Sequence, residues 1–178
     1  MNFAWGRAAG AACAGLLLLS ACGGSDADPS ADSAARAEAA EYFLASNARA
    51  EGIQTTESGL QYKVINSGPA DGVRPDTNDL VRVEYEGSLT NGSVFDSSYQ
   101  RGAPAVMSPQ GLVPGWTEAL QMMRPGDEWL LYVPPALGYG EEGRPPAIPG
   151  NSVLVFRVKL LAVAPAPGGY RGVGEATG

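Results

Sequence analysis

Between Leu80 and Leu89 apolar and polar residues alternate: Val81, Val83, Tyr85 and Leu89 keep one parity, with Arg82, Glu84, Glu86 and Ser88 on the other. Successive side chains of an extended chain point to opposite faces, so this stretch is a strand with one buried and one wet face. Leu154, Phe156, Val158 and Leu160 repeat the rhythm against Val155, Arg157 and Lys159. Leu60, Tyr62 and Val64 predict a third strand, Val94-Phe95 a fourth after the Asn91-Gly92 turn, and Trp129 to Val133 a fifth. Such strands must be covered on their apolar side. The cover is a short helix at Trp116 to Met123, where Trp116, Ala119, Leu120 and Met123 fall at i, i+3, i+4 and i+7 between Pro114 and Arg124-Pro125-Gly126. A helix that short persists only if its stripe is buried. The expected fold class is α+β: a curved antiparallel β-sheet of roughly five to six strands wrapped around one short α-helix, with an N-terminal helix. Trp129 to Val133 is apolar on both faces, which calls for an N-terminal arm or a partner over Leu130 and Tyr132.

The N-terminal residues are of a different kind. Arg7 precedes an apolar run from Ala8 to Leu19, and Ser20-Ala21 precede Cys22, which predicts a secretory signal over residues 1–21. The run is shorter than the roughly 20 residues of a settled membrane span. Leu19-Ser20-Ala21-Cys22 resembles the lipobox of bacterial lipoproteins, in which the cysteine carries the lipid. The second cysteine, Cys13, lies in the segment to be removed, so Cys22 is left without a disulfide partner and is expected to be the lipidation site. A flexible tether is expected at 22–32, a helix at 33–52 capped by Asp32 or Ser33 and stopped by Gly52, the main domain at 53–163, and a disordered tail at 164–178. The helix has few large apolar residues beyond Tyr42, Phe43 and Leu44, so it must dock to be stable.

Composition removes whole classes of chemistry. The 178 residues include no histidine, which excludes a Ser-His-Asp or Cys-His nucleophile and a His-ligated metal. No metal and no cofactor are expected. A net charge of −7 offers no basic patch to a phosphate backbone, so no nucleic acid partner is expected. The long loop from Val133 to Asn151, punctuated by Pro134-Pro135, Pro145-Pro146 and Pro149-Gly150 around Tyr139, has the length of a functional loop.

VEYEGSLTNGSVFDSS (Val83 to Ser98), VPGWTEALQMMRPGD (Val113 to Asp127), VPPALGYGEEG (Val133 to Gly143) and IPGNSVLVFRVKLL (Ile148 to Leu161) resemble, in order and spacing, the FKBP-type peptidyl-prolyl isomerases. The preceding FLASNARAEGIQTTESGLQY (Phe43 to Tyr62) is similar to the exported bacterial branch, including proteins of the macrophage infectivity potentiator type. The resemblance implies a proline pocket with Trp116 as its floor. It makes Asp96, Tyr139 and Trp116 the catalytic residues and Tyr85, Phe95, Val113, Ile148, Phe156 and Arg101 the substrate-binding ones. Tyr139 would donate its hydroxyl to a substrate carbonyl, Asp96 would orient beside the reacting amide, the Val113 N–H would bind another carbonyl, and Arg101 would support Asp96. Read singly, Tyr85, Phe156 and Trp116 are core residues, Asp96 a turn residue and Tyr139 a surface one; their joint placement in four segments carries the pocket reading.

Rotation about a peptide bond faces a barrier of about 18–20 kcal/mol from amide resonance. The planar amide is more dipolar than the twisted one, so an apolar pocket that strips its water lowers that barrier without histidine, metal or cofactor. The expected function is isomerisation of X-Pro bonds in exported proteins, with an apolar residue before proline; the other reading is a binding module or holdase-like chaperone with little turnover. Expected partners are proline-containing unfolded or extended polypeptides and macrolide inhibitors, with membrane contact through the lipid anchor alone. Ala105, Ala147 and Gly150 depart from common family residues and bear on substrate preference. A monomer is expected because the stretch before Gly52 is too short for the longer dimerisation region of some relatives. Gly23 after Cys22 favours the outer membrane, facing the periplasm, in a diderm host.

Overall fold

The computed structural model describes residues 29–168. The signal, the lipobox, Cys22 and most of the tether and tail fall outside them. Pro29–Asn47 forms α1, whose first turn holds a proline, a residue pre-set for that position. The helix therefore starts before Asp32 and Ser33, which lie inside it, and Asp32 faces Arg36 at 3.7 Å one turn on. It stops at Asn47 because that side chain turns to the sheet, donating from Nδ2 to Gln61 Oε1 at 2.8 Å, and further turns lead to Gly52.

Gln54–Thr55 (β1), Gln61–Asn66 (β2), Leu80–Leu89 (β3), Val94–Ser97 (β4), Ala105–Met107 (β5), Glu128–Val133 (β6) and Leu154–Ala164 (β7) make one antiparallel sheet. Its order is β1-β2-β6-β7-β3-β4, with β5 also on β3. Seven strands exceed the five to six expected because β1 and β5, of two and three residues, are too short to show a rhythm. Pro114–Met122 (α2) lies on the concave side, where Trp116, Ala119 and Leu120, with Met123 just beyond, are buried against Val81, Val83, Leu131, Val133, Leu154, Phe156, Val158 and Leu160. The alternation in β3 and β7 turned out as read, with the apolar parity facing α2; in β6, apolar on both faces, Trp129, Leu131 and Val133 are the buried set.

The opposite face of β2 and β6 receives α1. Phe43 meets Tyr132 at 6.1 Å between ring centroids, and buried Gln61 donates from Nε2 to the Leu44 carbonyl at 2.9 Å. Gln61 and Tyr132 are cross-strand partners on one face, so the arm covers the second apolar parity of β6 at that end. Two more contacts reach the loop before β7: Arg36 Nε donates to the Gly150 carbonyl at 3.1 Å, and Asn151 Nδ2 to Ser33 Oγ at 3.0 Å. Among the described residues no helix is long and apolar enough to cross a membrane.

Replacing Gln61 by Ala strands a helix carbonyl and the Asn47 amide, and an unsatisfied buried polar group costs about 1–3 kcal/mol. Urea unfolding should show a loss of that order, with Glu57→Ala, an exposed change away from the contact, within about 0.5 kcal/mol of wild type. Equal effects would show that the arm is not held by this residue.

Candidate active site

Trp116 enters the cleft because Pro114 and Gly115 open α2 directly beneath β6: a Cβ on residue 115 would lie 2.7 Å from Val133 Cγ1, so glycine lets the helix approach. Tyr85 from β3 and Phe156 from β7 stand edge-on to the indole, each 5.1 Å away between centroids and tilted by 84° and 85°. Phe95 continues the chain of rings at 5.5 Å and 87° from Phe156. Edge-to-face pairs of this kind add about 0.5–1.5 kcal/mol each beyond area burial. They fix the plane of Trp116.

Two joined hollows lie along these rings. One, of about 440 Å³, is lined by Tyr85, Asp96, Met107, Leu112, Val113 and Trp116 among others. The next, of about 450 Å³, is lined by Phe95, Ile148 and the Pro145-Pro146-Ala147 segment. Asp96, Tyr139, Arg144 and Phe156 line both. Eight of the nine catalytic and substrate-binding residues read from the sequence are thus in the cleft wall, and Arg101, the ninth, hydrogen-bonds Asp96 from beside it. Met107, Leu112 and Arg144 were missed. Met107 sits on the three-residue β5, and nothing local in the chain marks Arg144 as a wall residue.

The polar members are held by a small network. The Tyr85 hydroxyl donates to Asp96 Oδ2, Arg101 Nη1 donates to Asp96 Oδ1, and Arg101 Nη2 donates to the Tyr85 oxygen at 2.8 Å. Burial raises the Tyr85 phenol above its ordinary value, and Asp96 beside it adds to the rise. For Asp96, burial is the largest single effect and pushes upward, but the hydrogen bonds from Tyr85 and Arg101 and the Arg101 charge together hold the carboxyl below its usual range. The carboxylate is 42% exposed, so the ion pair fixes geometry more than it stabilises the fold.

The loop behind Tyr139 is wound on itself. Gly143 donates to the Tyr139 carbonyl at 3.0 Å, Asn151 to that of Gly140 at 2.9 Å, and Arg144 and Ile148 exchange two backbone bonds at 2.7 and 3.0 Å. A side chain at 143 would face a φ of +66° and an Ile148 oxygen 2.4 Å from its Cβ. Glycine is required there. Gly87 in β3 is the second such position: its Cβ would lie 2.6 Å from Phe156 and 2.8 Å from Phe95, so the missing side chain is the space in which the two rings meet.

A sheet closed over one short helix, with an aromatic-floored cleft open between strand edges and a long loop, defines an α+β domain built around a single cleft region. Residues 72–161 match the family profile for FKBP-type peptidyl-prolyl cis-trans isomerase, and residues 24–64 that for the domain amino terminal to it. The chain belongs to this family. It is 49% identical over 127 residues to "Peptidyl-prolyl cis-trans isomerase Mip" of Coxiella burnetii, covering 71% of this chain and 54% of that protein. It is 42% identical over 126 residues to "Outer membrane protein MIP" of Legionella longbeachae, covering 71% and 53%. The crystal structure of FkpA from Escherichia coli superposes with a TM-score of 0.73 at 40% identity, covering 78% of this chain and 64% of that one. The chain spans about half the length of these curated relatives.

Gly87→Ala should displace Phe95 and Phe156 and lower stability by about 1–3 kcal/mol, the usual effect of overpacking, read as a fall in urea midpoint. A neutral result would mean that the rings have room. The pH dependence has a definite sign. Asp96, depressed, stabilises the fold above about pH 4 and ceases to as pH falls through its lowered value; Tyr85, raised, does so below about pH 10 and ceases to as pH rises through its own. With no histidine present, turnover of an X-Pro peptide should change less than about twofold between about pH 5.5 and 8.5, as followed by NMR exchange.

Proposed function

We propose that this chain is a peptidyl-prolyl cis-trans isomerase that turns X-Pro bonds in exported polypeptides. The observation that carries the reading is the Trp116 floor held edge-on between Tyr85 and Phe156, with Asp96 and Tyr139 on the wall of the same cleft. The pyrrolidine ring sits on the indole. The amide before it leaves water, and its more dipolar planar form loses more solvation than the twisted one does. Tyr139 donates to a substrate carbonyl, Asp96 presents its oriented carboxylate beside the rotating bond, and the Val113 N–H receives a second carbonyl. Among the described residues no intramolecular acceptor pairs with that N–H. A barrier lower by about 4–6 kcal/mol is a 10³–10⁴-fold acceleration. Uncatalysed isomerisation takes tens to hundreds of seconds, so the gain matters to folding.

The same proposal places the protein in the cell envelope, lipid-anchored at Cys22 and facing the periplasm from the outer membrane. The apolar run ending in Leu19-Ser20-Ala21-Cys22 supports this, as does a relative named as an outer membrane protein. The arm buries Ala40 and docks Phe43 on its own sheet, which supports a monomer. The proposal extends to macrolide inhibitors as ligands of the same cleft, a reading supported by the two hollows of about 440 and 450 Å³ that share Asp96, Tyr139, Arg144 and Phe156.

Tyr139→Phe and Asp96→Ala should lower kcat/KM by about tenfold or more, as for the loss of a pre-oriented polar group beside the reacting centre, with little change in thermal midpoint. Trp116→Ala should lose turnover and about 3–5 kcal/mol of stability together. Equal unfolding in all three variants would make them core residues only. A chain that binds proline peptides and retards client aggregation without accelerating isomerisation would instead be a holdase. Cys22→Ser should move the protein from the membrane fraction to the soluble one; unchanged fractionation would end the anchor reading.

A further inference from the structure

Arg144 stands where the two hollows join. It lines both, its guanidinium carbon lies 5.9 Å above the Tyr139 ring, and Nη1 is 3.5 Å from the Tyr139 hydroxyl. The paired backbone bonds to Ile148 and the close-packed glycine at 143 fix the turn that carries it. Among the described residues no carboxylate lies within ion-pair distance of this guanidinium. Glu141 and Glu142, exposed on the same loop, line neither hollow. The other charge in the wall, Asp96, is already met by Arg101 and the Tyr85 hydroxyl. Among the described residues the cleft therefore carries one positive charge without a carboxylate partner, and it stands where the two hollows join.

We propose that Arg144 makes the cleft selective for proline segments bearing an acidic side chain close to the proline in sequence. The proposal rests on the proline-cleft reading above and names the substrate class for it. The protein's net charge of −7 opposes acidic clients at long range. At about 0.1 M salt the Debye length is about 10 Å, so that distant repulsion is damped while a contact pair inside the cleft survives. Selectivity then follows the contact charge.

The test uses peptides with leucine before proline and Glu, Gln or Lys placed two residues before it or at either of the next two positions after it. Binding is read by tryptophan fluorescence titration and turnover by NMR exchange, separately. At about 0.1 M salt the Glu form should bind about three- to fivefold tighter than the Lys form in at least one position, the scale of a partly exposed ion pair. The ratio should fall toward unity in Arg144→Gln and at about 1 M salt, where the Debye length is about 3 Å, and should invert in Arg144→Glu. Arg82→Glu, which changes net charge equally on the exposed parity of β3, should leave the ratio unaltered. A ratio that is absent in the wild type, that is the same in Arg144→Gln, or that follows net charge in Arg82→Glu overturns the proposal. Peptides that bind with this ratio without being turned over would leave it standing while ending the isomerase reading.

Discussion

The edge-to-face packing of Trp116 between Tyr85 and Phe156 is the contact on which the rest depends. One ring belongs to the helix and two to the central strands β3 and β7, so a single cluster ties sheet to helix. Trp116 is only 4% exposed, yet it lines the cleft. Core and pocket floor are the same side chain, and what holds the domain together also presents an apolar plane at the base of an open hollow. The curvature that makes room for it is local: register shifts at Arg82/Val83 and Gly87/Ser88 bend β3 around α2, and Gly87 lets Phe95 and Phe156 close over the bend.

Around that apolar floor the polar groups are few and each is tied down. Asp96 is aimed by Tyr85 and Arg101, and Tyr139 by a loop whose backbone hydrogen bonds run from 139 to 151. That loop is in turn held from outside by α1 through Arg36 and Ser33, more than a hundred residues away in sequence. The N-terminal arm thus braces the far side of the wall on which Tyr139 and Arg144 stand. A pocket of this kind needs rigid walls, because stripping water from an amide helps rotation only while the wall does not follow the amide's own reorganisation.

Sheet and helix were legible because their burial is periodic: Val81, Val83 and Tyr85 at intervals of two, and Trp116, Ala119, Leu120 and Met123 at the spacing of a helical stripe. Among the described residues those elements fell within a few residues of expectation. The start of α1 was misplaced since a capping-type residue inside a helix looks like one before it, and Pro29 gives the stronger signal. β1 and β5 are too short to carry any period, so Met107 stayed hidden. The contacts between Gln61 and the arm, the Gly87 gap and the exposure of Arg144 to both hollows depend on which segments the fold brings together. No local pattern encodes them.

The central claim is that the cleft acts by excluding water from the amide, with no proton in flight as the bond turns. Comparing kcat/KM for a Leu-Pro peptide in ordinary and heavy water tests it most directly. A cleft that works by desolvation gives substantial acceleration and a ratio near unity. A ratio of about two or more, the mark of proton transfer in the rate-limiting step, or no acceleration in either solvent, would contradict the account.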